Sequence, residues 1–234
     1  MLSDPQIERY SRQIILPQVG GKGQQRLLLA NILVHGDGPW QAEALLYLAA
    51  AGVGHIGIHG TGHLLLWTAL TSASQNSVVV ALQRLNPDCT ITVHNDQQLC
   101  IGEERKQLVQ PYDLIIAEPN EPLHTACYAT RRPFVCGQVC ATTAWFAVYR
   151  GYEDHQPCFS CEKPPFSALS PSPATEEFAA PFLGTVLATE AVKLVLGLSP
   201  LGSTVLRQYQ FPMLSFAERI LVKNSSCPVC GQHL

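Results

Sequence analysis

An α/β fold, with a mainly parallel sheet and helices on both of its faces, is what this sequence predicts, and three observations carry the prediction. The first is the run NILVHGDGPWQAEALLYLAAAGVGHIGI at residues 31–58, where a β-rich segment passes through Gly36 and Gly38 into an apolar helical stretch and then a second β-rich segment. That is the strand–turn–helix–strand frame of a Rossmann-like nucleotide-binding unit. The second is the continued alternation of strand-like and helix-like segments beyond it, the pattern of a parallel sheet wound with helices. The third is a hydrophobic share of 47 % over 234 residues, enough to bury a full core.

The elements follow in order. A helical segment at Asp4–Gln13 precedes a Gly-rich turn at Gly20–Gly23 and a short helix reaching Leu29. Asn31–His35 is the first strand, Ala42–Ala51 the first core helix with Gly52 as its stop, and His55–His59 the second strand. Ser72–Leu85 reads as helix, Cys89–His94 as strand, Gly102–Gln110 as a short helix, and Tyr112–Ala117, almost free of polar residues, as a buried central strand. A further helix ends at Arg131 and Arg132. A strand starting at Pro133–Cys136 passes into Thr143–Tyr149 and lies antiparallel at the sheet edge. The tract Pro164–Pro173, with four prolines and three serines, is a crossover loop. A helix from Ala174 or Thr175 to Leu196 and antiparallel C-terminal strands at Ser203–Gln210 and Leu214–Lys223 close the chain. No internal repeat is visible. One unit is expected to span 1–234: an N-terminal helical arm (1–30), a Rossmann-like core (31–150), and a crossover and C-terminal part (151–234).

Composition excludes several classes of partner. The formal net charge is -3 and the 15 Lys and Arg residues are scattered, so neither nucleic acid nor an anionic membrane is expected as a partner. No stretch is expected to span a bilayer, and MLSDPQIERY lacks the basic and apolar regions of a signal peptide, which points to the cytoplasm.

Nine cysteines in such a chain suggest metal ligation or packing rather than a disulfide framework. Cys158 and Cys161 form one CxxC, and Cys227 and Cys230 form another. Two such knuckles make the four-thiolate set of a closed structural zinc site, with His233 as a weaker alternative ligand. The remaining five, Cys89, Cys100, Cys127, Cys136 and Cys140, read as small buried hydrophobes.

The loop after the first strand departs from a phosphate cradle. Gly36 and Gly38 are kept, but Pro39 removes an N–H donor, Trp40 adds an indole where a phosphate would lie, and Gln41 occupies the third glycine position. The second strand runs out into Gly60, Thr61 and Gly62, without the carboxylate that would hold ribose hydroxyls. His35, His55, His59 and His63 cluster in sequence, but no carboxylate stands near at metal-ligand spacing. Leu64–Trp67 reads as core or as contact surface.

Taken together, RYSRQIILPQVG at residue 9, LLYLAAAGVG, ALQRLNPD, TEAVKLVLG and the paired knuckles resemble the ThiF/MoeB family, bacterial relatives of ubiquitin-activating enzymes, over nearly the whole chain. The resemblance implies a dimer that uses ATP and magnesium to adenylate the C-terminal glycine of a ubiquitin-like sulfur carrier. Position by position, much of the family's constellation carries other residues here. Its ribose-binding aspartate and neighbouring acid correspond to Gly60 and Gly62, its asparagine and arginine fall near Thr68 and Thr71, and its lysine near Ser74. The magnesium aspartate corresponds to Asn120 and the acid closing the central strand to Ala117, with Glu118 beside Pro119 as a substitute by a shift of the loop. No cysteine between Cys161 and Cys227 offers a thiol nucleophile. The arginine that in the family reaches a partner's ATP corresponds to Arg12, with Arg9 nearby. A structural role for Arg12, packing the N-terminal helix, stands as its alternative.

The expected function is therefore that of a catalytically impaired member. Such a chain is a zinc-stabilised scaffold, a homodimer or a heterodimer with an active homologue, that assists activation of a ubiquitin-like carrier or peptide. Two alternatives remain: an active adenylyltransferase using Arg12, Asn120 and the Gly36–Gly38 turn, and a small-molecule site in the former ATP cleft lined by Trp40 and His35.

Overall fold

The computed structural model describes residues 1–36, 38–60, 76–94, 102–162, 173–198 and 204–231. Its eight strands are β1 (Asn31–His35), β2 (His55–His59), β3 (Thr90–His94), β4 (Leu114–Ala117), β5 (Phe134–Cys140), β6 (Thr143–Tyr149), β7 (Val205–Gln210) and β8 (Ser215–Ile220). They form one sheet in the order β3-β2-β1-β4-β5-β6-β7-β8. β3 to β5 pair in parallel, and β5 to β8 pair antiparallel. The mainly parallel half with antiparallel C-terminal strands is as the sequence predicts.

Helices cover both faces. The described helices are α1 (Asp4–Arg9), α2 (Ser11–Ile14), α3 (Gly20–Leu29), α4 (Trp40–Ala51), α5 (Asn76–Leu85), α6 (Gly102–Val109), α7 (Glu121–Ala129) and α8 (Pro173–Leu196). Ile32 and Val34, Ile56 and Ile58, and Leu114 and Ile116 point to one face, where they pack with Leu45 and Leu48 of α4, Leu82 of α5, and Leu183 and Leu187 of α8. Leu33, Ile115 and Ala117 point to the other, against Leu108 of α6 and Leu123 and Cys127 of α7. This alternation is the period-2 pleat, and every residue of β4 is buried because both faces are covered there.

The AGVG turn that closes α4 is set by its glycines. Gly52 caps the helix in the left-handed region at φ 88°, with its N–H on Ala49 O, and the backbone of Gly54 lies against Leu28 too closely for any Cβ. The N-terminal arm is pinned by Tyr10, whose buried hydroxyl meets Asn86 and Asp88, while Arg9 pairs with Asp88 at 2.6 Å.

Five expectations are corrected. Gly20–Gly23 opens α3 rather than making a turn, because Gly23 lets α3 approach Leu196 of α8. α7 ends at Ala129, short of Arg131 and Arg132, the first of which takes φ 55°. The segment from Pro133 to Tyr149 is two strands joined at Ala141 and Thr142, with Ala141 at φ 49°. β6 is interior, and β8 forms the edge. Finally, Phe178–Leu196 is long and apolar enough to cross a membrane, with mean hydropathy 1.5. Half of it is buried, in α8 packed on α4, β5 and β6, which accounts for an apolar helix without a bilayer. Thr61, Gly62, His63, Leu64–Trp67, Thr68, Thr71, Ser74, Cys100, the tract 164–172 and His233, each given a role above, lie outside the described residues.

Candidate functional site

In an open α/β sheet, ligands are held where the strand order reverses, here between the C-terminal ends of β1 and β4. The loop from β1 to α4 and the loop from β4 to α7 meet at this place. The meeting is intramolecular. Trp40 is 2 % exposed, and its indole Nε1 donates to Glu118 Oε1 at 2.8 Å. Gly36 and Gly38 serve that indole: a Cβ on Gly36 would stand 2.8 Å from Trp40 Cζ2, and one on Gly38 would stand 2.5 Å from Trp40 Nε1. Trp40 therefore fills the cleft that it was expected to line.

Gln41, fully buried, turns its carboxamide back onto the strands, donating to His59 O at 2.9 Å and Val34 O at 3.4 Å. The first turn of α4 starts after Pro39 and carries Glu43, so the helix N-terminus already faces a carboxylate. On the other side, Gly184 of α8 lies against the Trp40 carbonyl, closer than a side chain would allow.

Asn120 has work of its own. It caps α7, its Oδ1 accepting from Leu123 N at 2.9 Å, and its Nδ2 lies 3.4 Å from His35 Nε2. His35 Nδ1 in turn lies 2.8 Å from His59 Nδ1, so one ring donates and the other accepts. Gly60, which the resemblance sets at the ribose position, has φ 103°, which disfavours any side chain there. Glu118 engaged by Trp40, Asn120 engaged as a cap and Gly60 without a side chain do not fit magnesium and ATP held in the manner the family implies. Arg12 sits exposed on α2 and makes no hydrogen bond or ion pair among the described residues. His55 is apart from the His35–His59 pair, stacked on Tyr112 at 5.5 Å.

The four cysteines converge. Cys158, Cys161, Cys227 and Cys230 offer sulfur atoms all within 4.8 Å of one another, and among the described residues no other group of three or more candidate ligands does so. The separations of 3.6 Å for Cys158–Cys227, 3.2 Å for Cys161–Cys230 and 3.9 Å for Cys158–Cys161 are too long for disulfides. They bracket the edge of about 3.8 Å that a tetrahedron with Zn–S near 2.3 Å requires. The contact with Cys158, together with the Asn224 amide that donates to its sulfur, pulls the Cys161 thiol below its ordinary value, while the same contact pushes Cys158 up. Such a thiolate-centred set suits a cation. Gly231 completes the second knuckle, since a Cβ there would strike the Cys227 backbone. Cys89, Cys127, Cys136 and Cys140 are buried thiols, and burial raises the pKa of each.

Two features escaped the sequence reading. His124 of α7 is 2 % exposed and accepts the Phe159 amide at 3.2 Å, fastening α7 to the first knuckle. The other is a cavity beneath α6, lined by polar and apolar side chains together, among them His55, Thr92, His94, Leu108, Pro111 and Tyr112.

Residues 75–229 match the model of the ThiF family. The sulfur carrier protein adenylyltransferase of Thermus thermophilus is 32 % identical, with 97 % of this chain and 91 % of the relative covered. The molybdopterin-synthase adenylyltransferase of Escherichia coli is 29 % identical with 99 % of each covered. In fold, this chain is similar to PaaA, with a TM-score of 0.74 over 95 % of this chain and 76 % of that one at 16 % identity. E. coli MccB crystallised with ATP gives 0.71 over 95 % and 73 %, also at 16 %.

Proposed function

The chain belongs to the ThiF family, and from that premise we propose that it serves as a binding subunit, one that assists activation of a sulfur-carrier protein or peptide without turning over ATP itself. The observation that carries this reading is the closed loop contact, in which the Trp40 indole and the Glu118 carboxylate satisfy each other where a nucleotide would lie. In such sites each preorganised donor or charge supplies ~2.7–4 kcal/mol of transition-state stabilisation. Losing several that act together abolishes the chemistry.

Binding remains available to the fold. Arg12 is presented on the surface, as an arginine acting on a partner's nucleotide must be. At the other end, β8 is an exposed sheet edge that carries exposed Phe216 and Ile220, with exposed Met213 and Val222 beside it, a surface on which an extended peptide can pair. One zinc at Cys158, Cys161, Cys227 and Cys230 holds the C-terminal segment to the middle of the chain. Its four-sulfur shell leaves no open position, so its role is structural. The chain acts as one unit, dimeric with itself or with an active homologue.

The second reading is an active adenylyltransferase, favoured by 32 % identity over nearly the full length to an enzyme of that name. Isothermal titration with ATP and magnesium on metal-replete protein, together with pyrophosphate exchange in the presence of a carrier protein, decides between them. Absence of both supports the binding subunit. Micromolar ATP binding with exchange overturns it and establishes the enzyme.

A further inference from the structure

Three of the chain's 15 lysines and arginines gather at the N-terminal end of β5, at the opposite end of the strands from the β1–β4 crevice. Arg131 and Arg132 lie between α7 and β5, and Arg150 follows β6, whose pairing of Tyr149 with Phe134 brings it to the same place. Tyr152 stands among them. The charges of Arg150, Arg131 and Arg132 all reach its hydroxyl, with Glu153 as the opposing carboxylate. Asp154 beside it is exposed and forms no ion pair among the described residues. Even with both carboxylates counted the cluster is positive, in a chain whose net charge is -3.

Two of the arginines are committed to the protein. Arg132 Nη2 donates to Gln110 O at 2.9 Å, which answers a carbonyl at the end of α6, and Arg150 Nε lies 3.5 Å from Glu153 Oε2. Arg131 and Tyr152 are not. The Arg131 guanidinium is exposed, lies over the Tyr152 ring at 5.3 Å, and makes no hydrogen bond or ion pair among the described residues. The Tyr152 hydroxyl makes no hydrogen bond among them either and, unlike that of Tyr149, is not enclosed. Burial, and then the charge of Glu153, push its pKa up to about 12, so it stays a phenol able to donate. The backbone adds an independent sign. Arg131 takes φ 55° just after α7, the left-handed position that glycine or asparagine ordinarily fills, so the fold itself does not require arginine there.

We propose that Arg131 and Tyr152 bind a phosphate group, free or at the end of a small ester, in the positive field of Arg132 and Arg150. A planar guanidinium fork beside a phenol offers donors to several oxygens of a tetrahedral anion at once. The site uses neither the crevice, Arg12 nor the four cysteines, and it stands whether or not the chain turns over ATP.

The test uses the full zinc-loaded chain with inorganic phosphate and glycerol 3-phosphate, titrated calorimetrically against a chloride background of equal ionic strength. The place of binding is read from the NMR signals of the Arg131 guanidinium and the Tyr152 ring. Saturable binding that moves both signals is expected, and the tighter of the two probes tells free phosphate from ester. Arg131→Asn suits the left-handed backbone, so its thermal midpoint should hold or rise while phosphate binds about tenfold more weakly or worse, the worth of one charged hydrogen bond. Tyr152→Phe keeps the ring beneath the guanidinium and should weaken binding by a smaller factor. No binding above the chloride background, signals of Arg131 and Tyr152 that stay in place, or equal affinity in Arg131→Asn would each overturn the proposal and leave the cluster a partner of the helix ends alone. The titration and signals of the unmodified chain decide the matter even if a variant fails to fold.

Discussion

Trp40 and His124 show how single side chains commit this molecule. Trp40 is fully packed between two glycines and Glu118, so Trp40→Ala opens a void and removes an indole hydrogen bond. A loss of ~3–5 kcal/mol in chemical denaturation is expected, the range for truncating a buried aromatic. No ATP binding should appear in return, because Asn120 and Gly60 are unchanged. Titration of the variant with ATP checks this, and micromolar binding would show that the indole is a removable gate. His124 carries a pH signature. Burial, opposed in smaller part by Glu121, lowers its pKa from 6.5 to about 4. Between those values the unfolded chain binds the proton and the native one does not, so stability is complete above pH 6.5 and falls as pH drops toward 4. The amount is about 3 kcal/mol at 1.36 kcal/mol for each unit. Denaturation across this range for unmodified protein and for His124→Asn separates this slope from acid loss of metal, which affects both. Parallel pH dependences would remove His124 as the cause.

Capping and clamping are properties of elements. Asn120 satisfies the Leu123 amide at the start of α7, and Asn120→Ala is expected to cost ~1 kcal/mol. Asn120→Asp keeps the cap and adds a favourable charge at the helix N-terminus, so its thermal midpoint should hold or rise while pyrophosphate exchange stays absent. Exchange restored by that one change would mean the rest of the site is intact. Cys230→Ser should release the zinc, and hydrogen exchange should then quicken in residues 224–231 while β1 and β4 keep their protection. Uniform loss of protection would make the knuckle part of the core rather than a clamp. The four cysteines were legible because two CxxC pairs carry their geometry in their spacing, and β1 and β4 because their apolar residues must alternate between two covered faces. Less legible were elements whose cause lies elsewhere in the chain. Gly20–Gly23 reads as a turn by propensity, and only the approach of Leu196 on α8 explains helix there. Ala141 and Thr142 carry no turn signal, so the break between β5 and β6 stayed hidden. The Trp40–Glu118 contact joins residues 78 apart and leaves no local pattern.

The whole molecule divides its polar chemistry between an interior that is closed and an arm that is open. At the β1–β4 crevice Trp40, Glu118, Gln41 and Asn120 make hydrogen bonds within the chain. At the N-terminal arm Arg9 is held by Asp88 and Tyr10 by Asn86, which fixes α1 and α2 on the body and leaves Arg12 outward without an ion pair among the described residues. A rigid arm ending in an uncommitted guanidinium loses little entropy when it meets a phosphate. This arrangement predicts a division of effects for Arg12→Ala. Its thermal midpoint, zinc content and secondary structure should match the unmodified chain, because nothing described depends on that side chain. When mixed with an active homologue and its carrier, the variant should support pyrophosphate exchange about a hundredfold more slowly than the unmodified chain does, the scale for removing one transition-state contact. Arg12→Lys should recover only part, since an ammonium keeps the charge but not the planar fork. Equal exchange with unmodified and variant chains would place the arginine outside the partner's site, and the assembly would then act through the carrier alone.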